Sequence, residues 1–205
     1  MTVDSFEKWV RRAAGLGFVV FVSVVCQGLA ASARRPKGRA SGPATKGLHW
    51  LRASYLPMSA FALIALSKLW RPLPLPLSPA ARLATTLLGA LLFFSGLALF
   101  LWGRRTMGDM YDLSSSLGAE LYADHRLVTS GPFAIVRHPL YLAGQLAEVG
   151  ALLIFRNWTM APVTVNAPML ILRARREEET LAAEFGPRWE EYKRRVPMLL
   201  PRPRG

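Results

Sequence analysis

The sequence predicts an all-α integral membrane protein of about five transmembrane helices, the last two a helical hairpin, with a cytosolic C-terminal helical tail. Three observations carry that prediction. Residues 13–33 and 83–103 contain no charged side chain, and at about 1.5 Å per residue each covers roughly the 30 Å of bilayer hydrocarbon. Lys and Arg outnumber Asp and Glu 26 to 13. These cations gather between the apolar runs, as loops facing anionic lipid headgroups do. A soluble nucleic-acid binder would share the charge excess but not the uncharged runs, so nucleic acid is excluded as a partner.

In chain order, residues 13–33 form the first span. A signal peptide is the alternative, but the basic "ARRPKGR" that follows favours a retained anchor. Residues 34–47 read as a flexible basic loop. The second span, 53–67, is short, and Trp50, Arg52, Lys68 and Trp70 flank it as interfacial and snorkelling anchors. Residues 83–103 are the third. Residues 139–155 and 157–172 are a hairpin turning at Arg156-Asn157-Trp158. Residues 34–52 hold six basic side chains and no acid, and the chain from Arg173 onward holds nine basic ones. Alternation through five spans then places the N-terminus outside, and both rich segments with residues 104–137 in the cytosol. The single cysteine, Cys26, excludes an internal disulfide and a cysteine-based metal cluster. No metal site is expected.

Leu181, Phe185, Trp189 and Tyr192 continue one helical stripe beyond the hairpin. Gly186-Pro187 should break it, because proline lacks a donor and clashes with the preceding turn. A helix to about Phe185, a break, and a shorter helix through Arg195 are expected, with "VPMLLPRP" extended along the membrane surface. Polar side chains thus concentrate in residues 104–205, and residues 1–103 read as a three-helix scaffold within one structural domain.

Candidate chemistry centres on "RHPLYLAGQLAE". His138, Tyr141, Gln145 and Glu148 are spaced by three, four and three residues, so they share one helical face opposite an apolar one. A carboxylate in hydrocarbon costs several kcal/mol unless it faces protein or water. Two readings stand: the stripe lines a cavity, or it is a hydrogen-bond network pinning helices. Pro139 suits a first helical turn, whose free N–H groups would face an anionic group. Arg173 and Glu177 lie four residues apart, as an exposed ion pair or as site residues. Glu178, Glu179, Glu190 and Glu191 read as solvated surface charges.

The segments "DHRLVTSGPFAIVRHPLYLAG" and "EEETLAAEFGPRWEEYKRRVPMLLP" resemble the isoprenylcysteine carboxyl methyltransferase family over roughly residues 104–201. The resemblance implies a membrane methyltransferase using S-adenosyl-L-methionine, with residues 104–205 as the methyltransferase-like half. It implies cofactor contacts from His125, Arg126, Leu127 and Val128, and from His138, Pro139, Leu140 and Tyr141. Glu177 begins the "EE-x-x-L" motif and is implied to bind the cofactor. Arg173 is implied to face the acceptor. Phe133 stands where the family usually has a tyrosine beside the cofactor, and Trp189 stands where the tail motif usually has tyrosine. Phe133 keeps ring packing there but loses a hydroxyl contact.

Methyl transfer from a sulfonium is a direct displacement, so alignment and water exclusion matter most. A lipid or prenylated small carboxylate is the first acceptor. An amine is the second, since the wider superfamily extends to phospholipid N-methyltransferases, and Glu148 would then be a candidate base. Sterol-type membrane reductases, which bind a nicotinamide cofactor, share "GP-x-x-x-x-RHP-x-Y" but usually carry Asn where this chain has Leu140. A scaffold without turnover is the third reading.

Overall fold

The uncharged runs become the two longest helices of the computed structural model, which describes residues 2–33, 70–111, 121, 124–165 and 167–201. Helix α1 spans Val3–Ala33 and α2 spans Pro79–Met107. Both begin earlier than the uncharged runs alone indicate. The start of α2 is set locally: the Ser78 hydroxyl accepts from the Ala81 N–H at 3.3 Å, and Pro79 occupies the first turn. Helix α3 spans Pro139–Phe155. Two segments, Val3–Gly28 and Pro79–Met110, are long and apolar enough to cross a membrane, and α3 is a shorter apolar helix. Leu16, Phe18 and Val19 of α1 and Leu87, Leu88 and Leu91 of α2 are exposed. An apolar surface of that extent is suited to hydrocarbon. The expected second span, 53–67, and the basic loop 34–47 lie outside the described residues.

Helices α1 and α2 run in the same direction and α3 runs against them. Glu7 near the start of α1 pairs with Arg82 near the start of α2 and with Arg156 just beyond α3, at 2.6 Å each. Glu7 is buried, so its carboxylate persists only because these guanidinium groups and the Thr86 hydroxyl satisfy it. Next to this clamp, Val10, Ala14, Phe93, Ala151 and Ile154 form the main apolar core.

A seam of small residues brings α2 and α3 into backbone contact. Gly89, Gly96 and Gly103 recur every seven residues on α2. A β-carbon at Gly96 would lie 2.6 Å from the Ala143 carbonyl oxygen, one at Gly89 would lie 2.9 Å from the Gly150 oxygen, and one at Gly103 would meet Leu140 at 2.7 Å. This is the close packing that small residues permit between membrane helices, where dispersion replaces the hydrophobic drive.

The hairpin departs from expectation in its second arm. Its turn falls at Arg156–Trp158 as expected, and residues 71–73 dock on it through Trp158 N–H to Arg71 O at 3.0 Å and Leu73 N–H to Arg156 O at 2.7 Å. The single helix expected over 157–172 is instead two pieces, α4 at Met160–Thr164 and α5 at Ala167–Phe185. Pro168 sits in the first turn of α5, where its ring and missing N–H forbid continuation from α4. Beyond α5, Gly186 turns the chain at φ 50 and α6 runs Pro187–Arg195, the break and restart that Gly186-Pro187 predict. Among the described residues the secondary structure is helical apart from one isolated bridge between Pro72 and Asn157.

Candidate active site

Five elements meet at the end of the bundle opposite the Glu7 clamp. Residues 124–130 arrive without helical structure, a 3-10 turn at Gly131–Ala134 bends the chain, α3 begins at Pro139, and α5 and α6 close the other side. The closing element is apolar and cohesive: Trp189, Tyr192 and Val196 are buried against Leu127, Leu181, Ala182 and Phe185. The Tyr192 phenol donates to the Phe133 carbonyl at 2.7 Å. Burial pushes the Tyr192 hydroxyl above its ordinary range, so it remains a donor.

Beyond α6 the chain does not lie free. The N–H of Arg137 donates to Pro197 O at 2.8 Å and that of His138 to Met198 O at 3.0 Å. The segment expected along the membrane surface therefore straps across the entry to α3. Arg137 reinforces this strap through its Nη1, which donates to the carbonyls of Lys193 and Val196.

A cavity of about 340 Å³ lies between these elements, near the lower end of the roughly 300–1,000 Å³ typical of small-ligand sites. His125, Leu127, Val128, Phe133, His138, Pro139, Leu140, Tyr141, Arg173 and Glu177, all named from the sequence, line it. Arg126 does not; its backbone N–H donates to Met110 Sδ at 3.2 Å. Gln145 and Glu148 lie further along α3, outside the lining. Gln145 Nε2 instead donates to the Thr164 carbonyl at 3.1 Å, which pins α3 to α4. The polar stripe therefore divides, its first two members in the cavity and Gln145 between helices.

The polar wall is a chain of contacts. The Tyr141 phenol donates to Glu177 Oε1 at 2.6 Å, and His138 Nδ1 lies 3.6 Å from Glu177 Oε2. The His138 ring stacks on Tyr141 with 3° between planes, and its Nε2 meets Glu178 Oε1 at 3.0 Å. The Arg173 guanidinium sits 5.7 Å from the Tyr141 ring centre, within cation–π range. Two residues that line the cavity each hold a buried donor, Arg173 Nε and Trp189 Nε1, with no hydrogen-bond partner.

Burial raises the Glu177 carboxyl above the ordinary glutamate range; His138, Tyr141 and Arg173 offset that burial only in part. Glu178 behaves oppositely. Burial pushes its carboxyl up, but the His138 and Arg137 hydrogen bonds outweigh that and hold it below the ordinary range.

Other contributors carry no sequence signal for a place at the cavity. Glu178, grouped from the sequence with solvated charges, is buried and bonds both Arg137 and His138. Its position one residue after Glu177 assigns it to no particular face. Trp189 and Tyr192 roof the cavity from α6. Residues 1–103 are more than scaffold, since Phe21, Val25 and Phe100 complete the apolar wall. No local motif marks those three, because only the packing of α1 and α2 brings them to the site.

The isoprenylcysteine carboxyl methyltransferase family model matches residues 87–183, which contain every sequence-proposed site residue. Methanethiol S-methyltransferase 2 of Bradyrhizobium diazoefficiens is 32% identical over 166 residues, covering 74% of this chain and 60% of the relative. The cobalt-zinc-cadmium resistance protein CzcN of Cupriavidus metallidurans is 37% identical over 38% of this chain and 37% of its own length. The protein-S-isoprenylcysteine O-methyltransferase of Schizosaccharomyces pombe is 34% identical over 38% of this chain and 34% of its own. The chain thus spans between a third and 60% of the lengths of these relatives.

Proposed function

We propose that this chain, which belongs to the isoprenylcysteine carboxyl methyltransferase family, is a multi-pass membrane enzyme that methylates a lipophilic acceptor with S-adenosyl-L-methionine. The observation that carries this reading is Glu177, a carboxylate in the cavity wall whose burial is only partly compensated. Such a group favours a cationic ligand. The proposed cofactor carries both an ammonium and a sulfonium.

The other residues fit the same group. Trp189, which lines the cavity, holds a buried Nε1 donor without a hydrogen-bond partner, suited to a ring-nitrogen acceptor. Leu127, Val128, Phe133 and Leu181 offer apolar surface to an adenine. Bound there, S-adenosyl-L-methionine supplies a methyl group activated on a sulfonium. Glu177 and Tyr141 would orient the cationic end, and His138 would hold Glu177 in place from its other side. The strap and α6 would exclude water, which strengthens each of these charge contacts.

For the acceptor, a lipophilic carboxylate fits Arg173, whose guanidinium can hold it by charge-assisted hydrogen bonds. A carboxylate is already ionised and needs no base. A second reading, a small thiol, is favoured by the methanethiol-methylating relative, which aligns over 74% of the chain against 38% for the prenylcysteine-methylating one. A phospholipid amine would need Glu148 as base, and Glu148 stands outside the cavity lining. The acceptor would enter from lipid past Phe21, Val25 and Phe100. The basic segments support a cytosolic site and C-terminus in a five-span arrangement.

Calorimetry on the detergent-solubilised full chain tests the core of this reading. S-adenosyl-L-methionine and S-adenosylhomocysteine should bind and reduced nicotinamide cofactors should not. A nicotinamide preference sinks it. Transfer of labelled methyl to a prenylated cysteine analogue or to methanethiol then separates the two acceptors.

A further inference from the structure

The end of the bundle remote from the cavity holds a second concentration of charge. Arg11 of α1, Arg82 of α2 and Arg156 after α3 surround the buried Glu7, with Asp4 on the exposed side of Arg82. Arg82 and Arg156 already satisfy Glu7 at 2.6 Å each, whereas Arg11 stands 3.9 Å away. Three guanidinium groups therefore face two carboxylates, one of them in water. The positive surplus borders an open cavity of about 290 Å³, walled on its other side by the apolar strap of residues 72–77.

Two further features mark this as a built place. Arg156 is the only non-glycine residue at positive φ among the described residues, at φ 47 and ψ 51. Helix ends usually give that left-handed position to glycine or asparagine. Here the chain accepts strain to put an arginine where it reaches the cluster. Second, Trp9, Trp70 and Trp158 are all exposed and lie beside Arg11, Arg71 and Arg156 in sequence. Exposed indoles are the usual markers of headgroup depth in a bilayer.

We infer that Arg11 and Arg82, backed by the charge of Arg156 whose own Nη groups are held by Glu7, Thr85, Thr86 and the Leu153 carbonyl, form a second site, at the bundle end opposite the cavity, for an anionic phosphate group carried by a phospholipid headgroup or free in solution. Guanidinium forks match phosphate oxygens bidentately. The neighbouring leucines of the 72–77 strap would lie against acyl chain or glycerol carbons if the ligand is a lipid. Nothing in this site touches the residues proposed for methyl transfer, so its test is independent of that reading.

The test titrates the detergent-solubilised full chain with short-chain phosphatidylglycerol, short-chain phosphatidylcholine and inorganic phosphate by calorimetry. Phosphatidylglycerol should bind roughly tenfold more tightly than zwitterionic phosphatidylcholine. Arg11→Gln, which leaves Glu7 its two closer partners, should erase about that factor. Tighter binding of phosphatidylglycerol than of inorganic phosphate identifies a lipid; comparable binding of the two identifies the free ion as sufficient. On the unaltered chain, the winning probe should also protect Arg11 and Arg82 from phenylglyoxal, read by mass spectrometry. Equal affinity for all three probes, an unchanged Arg11→Gln variant, or unprotected arginines would each overturn the site.

Discussion

Glu178 grips Arg137 with both carboxylate oxygens, Nε to Oε1 at 2.8 Å and Nη2 to Oε2 at 3.1 Å, while Oε1 also meets His138 Nε2 at 3.0 Å. One buried side chain on α5 thus holds the two residues that open α3. Glu178→Gln should leave the Arg137 charge without its counter-ion. Losing one partner of a buried pair costs about 3–5 kcal/mol, and the Lys193 and Val196 carbonyls on Arg137 Nη1 place this case at the low end. Thermal unfolding should show a lowered midpoint, and calorimetry a weaker cofactor.

The two adjacent glutamates should respond to acid in opposite senses. The Glu178 carboxyl is held below its ordinary value, so its stabilisation is complete above that ordinary value and is lost as pH falls through the lower, folded one. The Glu177 carboxyl is raised, so the folded protein takes up its proton first, and protonation removes the charge a cationic ligand needs. Affinity for S-adenosylhomocysteine should therefore decline at a pH above the ordinary glutamate range. In Glu177→Gln that decline should vanish along with most of the affinity. A pH series of calorimetric titrations on both proteins checks this; retention of the pH dependence in the variant would refute it.

Arg173→Ala should divide the two ligands. Removing the guanidinium that lies over Tyr141 should lower turnover of a carboxylate acceptor by at least about tenfold, while cofactor affinity changes little. If a thiol is the acceptor, turnover should be far less affected. Steady-state kinetics with each acceptor class, alongside cofactor calorimetry, reads the difference.

Gly96→Val should be among the most damaging single changes. Its new β-carbon would sit 2.6 Å from the Ala143 oxygen and 2.8 Å from the Ala147 nitrogen, both backbone atoms that cannot step aside. Overpacking costs typically about 1–3 kcal/mol, more where backbone must move. At Gly144, where nothing lies within 4 Å, alanine should be tolerated for stability. Thermal midpoints of Gly96→Val and Gly144→Ala provide the comparison.

Much of the site was legible because its residues are close in sequence and carry fixed types. The stretch from His125 to Tyr141 and the pair Arg173 and Glu177 could be placed from two motifs. The helix break at Gly186-Pro187 is legible in the sequence, whereas the Ser78-Pro79 start of α2 and the break before Pro168 are masked by the apolar runs beside them. What stayed hidden depended on tertiary geometry. The burial of Glu178 requires Arg137 to stand across from it, and the cavity role of Phe21 and Phe100 requires two long helices to lie side by side. The seven-residue glycine spacing of α2 was present in the sequence, and only the partner face on α3 gives it meaning.

The pairing of Arg137 and His138 with the carbonyls of Pro197 and Met198 also sets an order of assembly. Helices α1 and α2 can insert and find each other early in synthesis. The cavity wall at the head of α3 is completed only after residue 198 has left the ribosome. Until then the backbone N–H groups of Arg137 and His138 lack these two partners, and the nascent chain carries the side chains of the candidate site without yet possessing a pocket.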